Sequence, residues 1–99
     1  MKYELISLKK ASDNVHKYIV DIIDNNNKHY YVKFGAKGYS DFTKNHDNDR
    51  KERYILRHKS KEDWTNTGIL SAGFWSRWIL WNKATVHDSV IDVVKRFKL

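Results

Sequence analysis

Three stretches of β-branched and aromatic residues occupy the first third of the chain. They are YELISL at residues 3–8, HKYIVDII at 16–23 and KHYYVKFG at 28–35, and the polar segments ASDN and DNNNK separate them. Such residues favour strands, whereas short segments rich in Asn and Asp favour tight turns. In the third stretch, apolar or aromatic side chains recur at every second position, as in a strand with one buried face. Residues 1–35 are therefore predicted to form a three-stranded antiparallel meander.

The segment after the third strand is rich in small and polar residues. Residues 36–48 are predicted to form a loop that leaves the sheet, because Ser, Asp, Thr and Asn cluster there. Gly35 and Gly38 permit backbone torsions or close approaches that a side chain would prevent. The segment fits a connection with a purely structural role as well as a loop that contacts a ligand.

Helical patterns dominate residues 49–99. Strong helix formers begin at DRKERYILRHK, where an Asp or Asn at the start is able to cap the first amides, and EDWTNTGIL then interrupts the pattern with a short turn. The segment SAGFWSRWILW is predicted to form a second helix or a helical turn. The residues expected to share one face of it are Phe74, Trp78 and Trp81.

The last element has the clearest pattern. Thr85 and Asp88 have the spacing of a capping box, in which a threonine hydroxyl accepts a hydrogen bond from a backbone amide three residues later. An apolar stripe follows at intervals of three and four residues, and it consists of Val86, Val90, Val93, Val94 and Phe97. A helix over residues 86–97 is therefore predicted.

These elements fit one domain, residues 1–99, whose core depends on aromatic side chains. Phe, Trp and Tyr make up 14% of the 99 residues, and each buried aromatic side chain removes about 150–250 Å² from water. No cysteine is present to form a disulfide or a thiolate zinc site. The expected fold is α+β, a three-stranded antiparallel meander followed by two or three helices packed on one sheet face. The helical residues expected to cover the sheet are Trp75, Trp78, Trp81, Val90, Val94 and Phe97. The alternative is that one or two tryptophan rings are exposed for a partner.

Charge favours a polyanionic partner. Lys and Arg outnumber Asp and Glu by 19 to 12, which gives a net charge of +7 at pH 7. On a helix, Arg50, Arg53 and Arg57 project from one side, where their planar guanidiniums suit phosphate oxygens. The predicted nucleic-acid-binding set adds Lys37, Lys59, Lys61 and Arg77. DNA, RNA or an acidic protein surface would fit this charge, and a solvated helix face without a ligand is the alternative.

The sequence contains no established catalytic or metal-binding motif. It has no phosphate loop, nucleophile elbow or dinucleotide fingerprint, and no two of its five histidines have the helical spacing of a zinc site. The one compact group with ligand-like chemistry is His46, Asp47 and Asp49. Together with the cation of Arg50, it would supply the base, carboxylate and positive charge that a metal-dependent nuclease needs. The expectation is a protein without catalytic residues, cofactor or bound metal, and the nuclease is an alternative.

Four separated blocks resemble a known family. They are FGAKGYSDFT, HDNDRKERYILRHK, EDW and AGFWSRWILWNK, which follow one another between Phe34 and Lys83. In this order they are similar to an uncharacterised family of short basic proteins encoded by large DNA viruses of algae and amoebae. One departure is Ala84, where the family pattern usually continues with proline. The resemblance implies a viral origin and directs attention to Gly35, Gly38, Tyr39, Asp41, Arg50, Arg53, Tyr54, Arg57, His58, Trp64, Trp75 and Trp78. With His46, the first four form the candidate functional loop.

The combined expectation is a small basic viral protein that binds nucleic acid in a sequence-tolerant way and has no enzymatic activity. The alternative is a minor virion or assembly protein that engages another protein. The N-terminus MKYELISLKK has no apolar run of signal-peptide length, and no segment approaches the roughly 18–20 apolar residues of a membrane span. The protein is therefore expected to be neither secreted nor bound to a membrane, and to act in the viral factory of the host cytoplasm or in the virion.

Overall fold

Three antiparallel strands form the first third of the computed structural model, which describes residues 2–99. Met1, the first residue of the predicted domain, lies outside the described residues. The strands are β1 (Tyr3–Lys10), β2 (His16–Asp24) and β3 (His29–Ala36), and they pair in the order β1-β2-β3. The predicted meander is confirmed, and each strand continues one or two residues beyond its predicted end.

One face of this sheet is buried. Val20 and Ile22 of β2 lie on it with Val32 and Phe34 of β3, and all four belong to the core. The pairing of β1 with β2 shifts between Leu5 and Ser7, so that the exposed Ile6 has no partner in β2 and Leu8 lies opposite the buried Val20. The period of two read from the sequence therefore holds across β2 and β3 and is interrupted once in β1.

The two polar segments between the strands form turns. Each contains one asparagine in the left-handed region, Asn14 with φ 61° and Asn27 with φ 62°, a conformation that asparagine tolerates better than most residues. In the second turn, Asp24 accepts hydrogen bonds from the amides of Lys28 and Asn26. These bonds favour the ionised carboxylate and lower the pKa of Asp24.

The segment predicted as a loop contains a short helix, which corrects the sequence interpretation. Helix α1 spans Phe42–Asn45, and Asp41 caps it by accepting a hydrogen bond from the amide of Thr43 at 2.9 Å. Helix α2 follows at Asn48–His58, one residue earlier than predicted. Its cap is Asp47, whose carboxylate accepts from two amides of the first turn.

The tryptophan-rich segment is helical but irregular. A 3₁₀ turn at Asn66–Gly68 occupies the predicted break, and helix α3 then spans Ala72–Trp75. The chain continues into a π-helical turn over Ser76–Leu80, in which the amide of residue 81 bonds the carbonyl of residue 76. The predicted helix is therefore present in two pieces with different periods.

The π-helical turn separates residues that were predicted to share a face. Phe74 and Trp78 both contact Phe97, with ring centroids 5.0 and 5.4 Å apart. Trp81 instead stacks on Tyr54 at 4.6 Å and an interplanar angle of 9°. The prediction was wrong for Trp81 because a π-helical turn contains more residues than an α-helical one, which rotates the following side chains.

The last helix, α4, spans Val86–Phe97 as predicted. The hydroxyl of Thr85 accepts a hydrogen bond from the amide of Asp88 at 3.0 Å, and Val93 is completely buried. The other members of the predicted stripe pack against the core from its edge. Within residues 2–99, no helix has the length and apolar character needed to span a membrane.

The core lies between the sheet and the tryptophan-rich segment. Trp75 is fully buried against Phe34 of β3, with ring centroids 6.4 Å apart. Trp81 is also buried, whereas Trp64 and Trp78 are partly buried. Helices therefore cover one face of the meander and the fold is α+β, as expected. The tryptophans supply core surface more than an exposed platform.

Gly35 is required where β3 meets the π-helical turn. Its φ is +76°, and a Cβ atom there would lie 2.8 Å from Cδ1 of the buried Leu80 and 3.2 Å from Cβ of Lys17.

We expect Gly35→Ala to lower the free energy of unfolding by about 2–3 kcal/mol, because a left-handed torsion and overpacking combine. Gly38→Ala is the matched control, since its φ is +93° with no atom within 4 Å, and about 1 kcal/mol is expected there. Urea unfolding followed by tryptophan fluorescence measures both, and equal losses would contradict the packing argument.

Candidate functional site

An open cleft of about 570 Å³ lies beside α2. The inner side of α2 lines it, together with the loop after β3 and the tryptophan-rich segment. The loop contributes Tyr39, Ser40 and Asp41, and the tryptophan-rich segment contributes Leu80 and Trp81 among others. The cleft therefore brings together parts of the chain that are far apart in sequence, with the basic helix at its side.

Three arginines of α2 line this cleft. Arg50, Arg53 and Arg57, termed the arginine row, are all exposed. The rise of an α-helix places the first and last about 10 Å apart along the axis. Within residues 2–99, none of the three guanidiniums forms an ion pair or a side-chain hydrogen bond. All three therefore remain available to an anion, and they face the same space.

A buried ion pair lies at the base of the cleft. Nζ of Lys17 in β2 donates to Oδ2 of Asp41 at 2.5 Å, and the two side chains are 9% and 2% exposed. The other oxygen of Asp41 caps α1 through Thr43. The pair fastens the start of α1 to the sheet. Taking two charges out of water is costly, so each charge depends on the other.

Tyr54 of α2 gives the cleft a hydroxyl without a protein partner. Its ring is stacked between His58 at 4.3 Å and Trp81 at 4.6 Å, and the side chain is only 7% exposed. Burial, with a smaller contribution from Glu62, raises the pKa of this phenol, so the hydroxyl keeps its proton at neutral pH. The hydroxyl bonds no residue in the 2–99 range and is not sealed from solvent. It is therefore a hydrogen-bond donor that borders the cleft.

The carboxylate at the far end of the cleft is held by other side chains. Glu62 accepts from Nε1 of Trp64 at 2.9 Å and lies 2.7 Å from Nδ1 of His58. A Cβ atom at Gly73 would lie 2.6 Å from the same carboxylate, so glycine lets the chain pass there. With Asp41 paired to Lys17, neither carboxylate of the cleft is free. The arginine row and Lys17 leave the cleft with a net charge of +2 when His58 is neutral.

Arg77, also part of the predicted binding set, does not line this cleft and is partly buried. Its guanidinium donates to the carbonyl of Trp81 at 2.7 Å and lies 4.4 Å from the ring centre of Trp78. Its Nε is buried and has no partner among residues 2–99. Burial, together with nearby Arg96, lowers the pKa of Arg77. The Arg77 side chain has this orientation because the aromatic residues of its own segment pack around it, with the guanidinium over the ring of Trp78.

The predicted lysines also lie outside the cleft. Nζ of Lys37 donates to Oδ1 of Asn14 at 2.6 Å, beside a smaller cleft of about 250 Å³ near the end of the β1–β2 hairpin. Lys59 and Lys61 are exposed just after α2 and do not line the main cleft. They extend the positive surface beyond the C-terminal end of the arginine row. Sequence reasoning missed Lys17, because its pairing with a residue 24 positions away leaves no local signal.

The candidate functional loop divides between rim, base and scaffold. Tyr39 is 74% exposed at the rim of the cleft, and Asp41 is buried at its base. Gly35 and Ser40 also line the cleft, whereas Gly38 does not. His46 ends α1 in the left-handed region, and its Nε2 lies 3.0 Å from the carbonyl of Ala84. His46 therefore contributes to the scaffold.

Two members of the group considered for a nuclease, His46 and Asp47, are engaged in local structure. Asp47 caps α2, and His46 contacts the carbonyl of Ala84. Across the described part of the chain, residues 2–99, no three His, Cys, Asp or Glu side chains are grouped so that they could hold a metal ion. Arg50 belongs to the arginine row instead.

Comparison with known proteins assigns a family. A model described as a family of unknown function (DUF5754) matches residues 6–58, more than half of the chain. The chain belongs to DUF5754. The matched segment of this DUF5754 protein includes Lys17, Tyr54 and the whole arginine row, and it ends before the tryptophan-rich segment. No curated protein and no solved structure matches the chain.

Proposed function

We propose that this DUF5754 protein binds polyanions, most simply DNA or RNA, in a sequence-tolerant way and without catalysis. The observation that carries the proposal is the arginine row, three exposed guanidiniums without ion-pair partners in the 2–99 range, along one cleft. Arginine forms bidentate hydrogen bonds with phosphate oxygens and keeps its proton at all relevant pH values. Phosphate contacts carry no sequence information, and for that reason the proposed binding tolerates any sequence.

The charges around the cleft support this assignment over a solvated helix face. Arg96 of α4 forms an ion pair with Asp92, whereas no member of the arginine row has such a partner within residues 2–99. The carboxylates of the cleft are engaged by other groups, Asp41 by Lys17 and Glu62 by His58 and Trp64. An incoming phosphate would therefore meet unpaired cations and no free anion.

The resemblance to a family encoded by large DNA viruses supports the biological setting of the proposal. The protein would act where viral nucleic acid is handled, in the viral factory of the host cytoplasm or in the virion. A small basic protein with +7 net charge is suited to contact a long polyanion there, because each neutralised phosphate releases condensed counterions.

Titration of labelled DNA and RNA at 50 and 200 mM salt tests the proposal. We expect micromolar dissociation constants at the lower salt concentration. If the arginine row neutralises three phosphates, the affinity for duplex should fall by about 40-fold between the two conditions. Fluorescence anisotropy with two unrelated sequences measures both the salt slope and the tolerance to sequence. Absence of binding at 50 mM, or binding that salt does not weaken, would refute the proposal.

A further inference from the structure

The cleft offers more than phosphate contacts. The arginine row lines it from α2, and the hydroxyl of Tyr54, with no hydrogen bond to any residue from 2 to 99, borders it too. Tyr54 is only 7% exposed, but its hydroxyl is not sealed from solvent. A ligand that enters the cleft can therefore replace water as the acceptor of the hydrogen bond that this hydroxyl donates.

We propose that the cleft accepts one unpaired nucleotide of a single-stranded nucleic acid, whose backbone phosphates lie along the arginine row. This inference rests on the proposed function and names its substrate class. The volume of about 570 Å³ is within the range of sites for small organic molecules, roughly 300–1,000 Å³. A duplex presents its phosphates to such a surface, but its paired and stacked bases stay outside the cleft.

An exposed aromatic ring at the rim provides a stacking surface. Tyr39 is 74% exposed and lines the cleft, and within residues 2–99 no other aromatic ring packs on it. Proteins that bind single strands without sequence preference combine a positive groove with such rings, because every base has a face that can stack. Tyr39 is therefore placed to stack on a base, and Tyr54 to donate a hydrogen bond to the nucleotide.

The length of the arginine row agrees with a short single-stranded segment. The row extends about 10 Å along α2 and carries three guanidiniums. Up to three phosphates of one strand can therefore pair with the row, one for each guanidinium. The single nucleotide whose base enters the cleft is held by Tyr39 and Tyr54, and its neighbours contribute only their phosphates.

The test compares a labelled oligothymidylate with a duplex of equal length, at one salt concentration. We expect the single strand to bind about tenfold more tightly, since one stacked base contributes in this range. Tyr54→Phe keeps the stacked ring and removes only the hydroxyl, so it should weaken single-strand binding about tenfold and leave duplex binding unchanged. Tyr31→Phe, which alters an exposed tyrosine outside the cleft, is the matched control and should change neither affinity.

Tyr39→Ala is a second test variant. Because Tyr39 is exposed, its replacement is not expected to disturb the hydrophobic core. It should weaken single-strand binding about tenfold and preserve duplex binding. Equal affinities for single strand and duplex would overturn this inference and leave the proposed function intact. Unchanged single-strand binding by Tyr54→Phe and Tyr39→Ala would also overturn it. Absence of binding to both nucleic acids would instead refute the proposed function.

Discussion

Replacing Arg50, Arg53 and Arg57 together by glutamine is expected to weaken nucleic-acid binding about 100-fold at 50 mM salt. Each exposed arginine–phosphate contact contributes on the order of 1 kcal/mol, and about 3 kcal/mol corresponds to roughly two powers of ten. The slope of log affinity against log salt should fall by about 2 for single strands and about 3 for duplex, since three phosphates lose their partners. Anisotropy titration over a salt series measures both quantities.

The control for this variant removes three charges elsewhere. Lys2, Lys9 and Lys95 are exposed, lie away from the cleft and have no side-chain hydrogen bonds within residues 2–99. Their combined replacement by glutamine leaves the same net charge as the arginine variant. If binding depends on the arginine row, the lysine variant should keep most of its affinity. Equal weakening of the two variants would show that net charge alone governs binding, and the cleft would lose its role.

The arginine variant should fold as the native chain does. Arg50, Arg53 and Arg57 are exposed and pair with no residue in the described range, and glutamine has a helix propensity close to that of arginine. Exposed substitutions of this kind usually change the free energy of unfolding by less than about 0.5 kcal/mol each. Circular dichroism with matched thermal unfolding separates a loss of binding from a loss of structure.

Local patterns in the sequence were sufficient to predict most elements of the fold. The strands were located to within two residues because β-branched runs and Asn-rich turns act locally, and α4 was located because Thr85 caps an uninterrupted apolar stripe. The alignment of Arg50, Arg53 and Arg57 follows from helical periodicity alone. Features that depend only on neighbours within about four residues could therefore be predicted from the sequence.

Features that depend on distant contacts or on irregular backbone could not be predicted from the sequence. The π-helical turn at Ser76–Leu80 has no distinct sequence signal, and it changed the position of Trp81. The position of the Arg77 guanidinium over the rings of Trp64 and Trp78 also depends on the irregular backbone of its segment. The pairing of Lys17 with Asp41 joins residues 24 positions apart. No local pattern shows which lysine meets which aspartate.

The cleft depends on this distant pair for its shape. Asp41 joins β2 to α1, and α1 leads directly into α2, which carries the arginine row. Tyr39 lies two residues before Asp41, so the ion pair with Lys17 also fixes the end of the loop that contains Tyr39. Loss of the pair is therefore expected to affect stability and both sides of the cleft, whereas loss of an exposed arginine should leave the fold unchanged and weaken only the proposed binding.

Asp41→Ala is expected to lower the free energy of unfolding by about 3–5 kcal/mol, because it leaves Lys17 as a buried charge without a partner and removes the cap of α1. In a chain of this size the melting temperature should fall by about 15–30 °C, measured by circular dichroism. Asp41→Asn keeps a side chain that can cap α1 and removes only the negative charge, so its loss of stability measures the contribution of the ion pair with Lys17. Adding Lys17→Met to Asp41→Ala should recover at least half of the loss, since the unpaired charge is removed with its cost of burial. A loss below about 1 kcal/mol in Asp41→Ala, or no recovery in the double variant, would mean that the pair does not fasten α1 to the sheet.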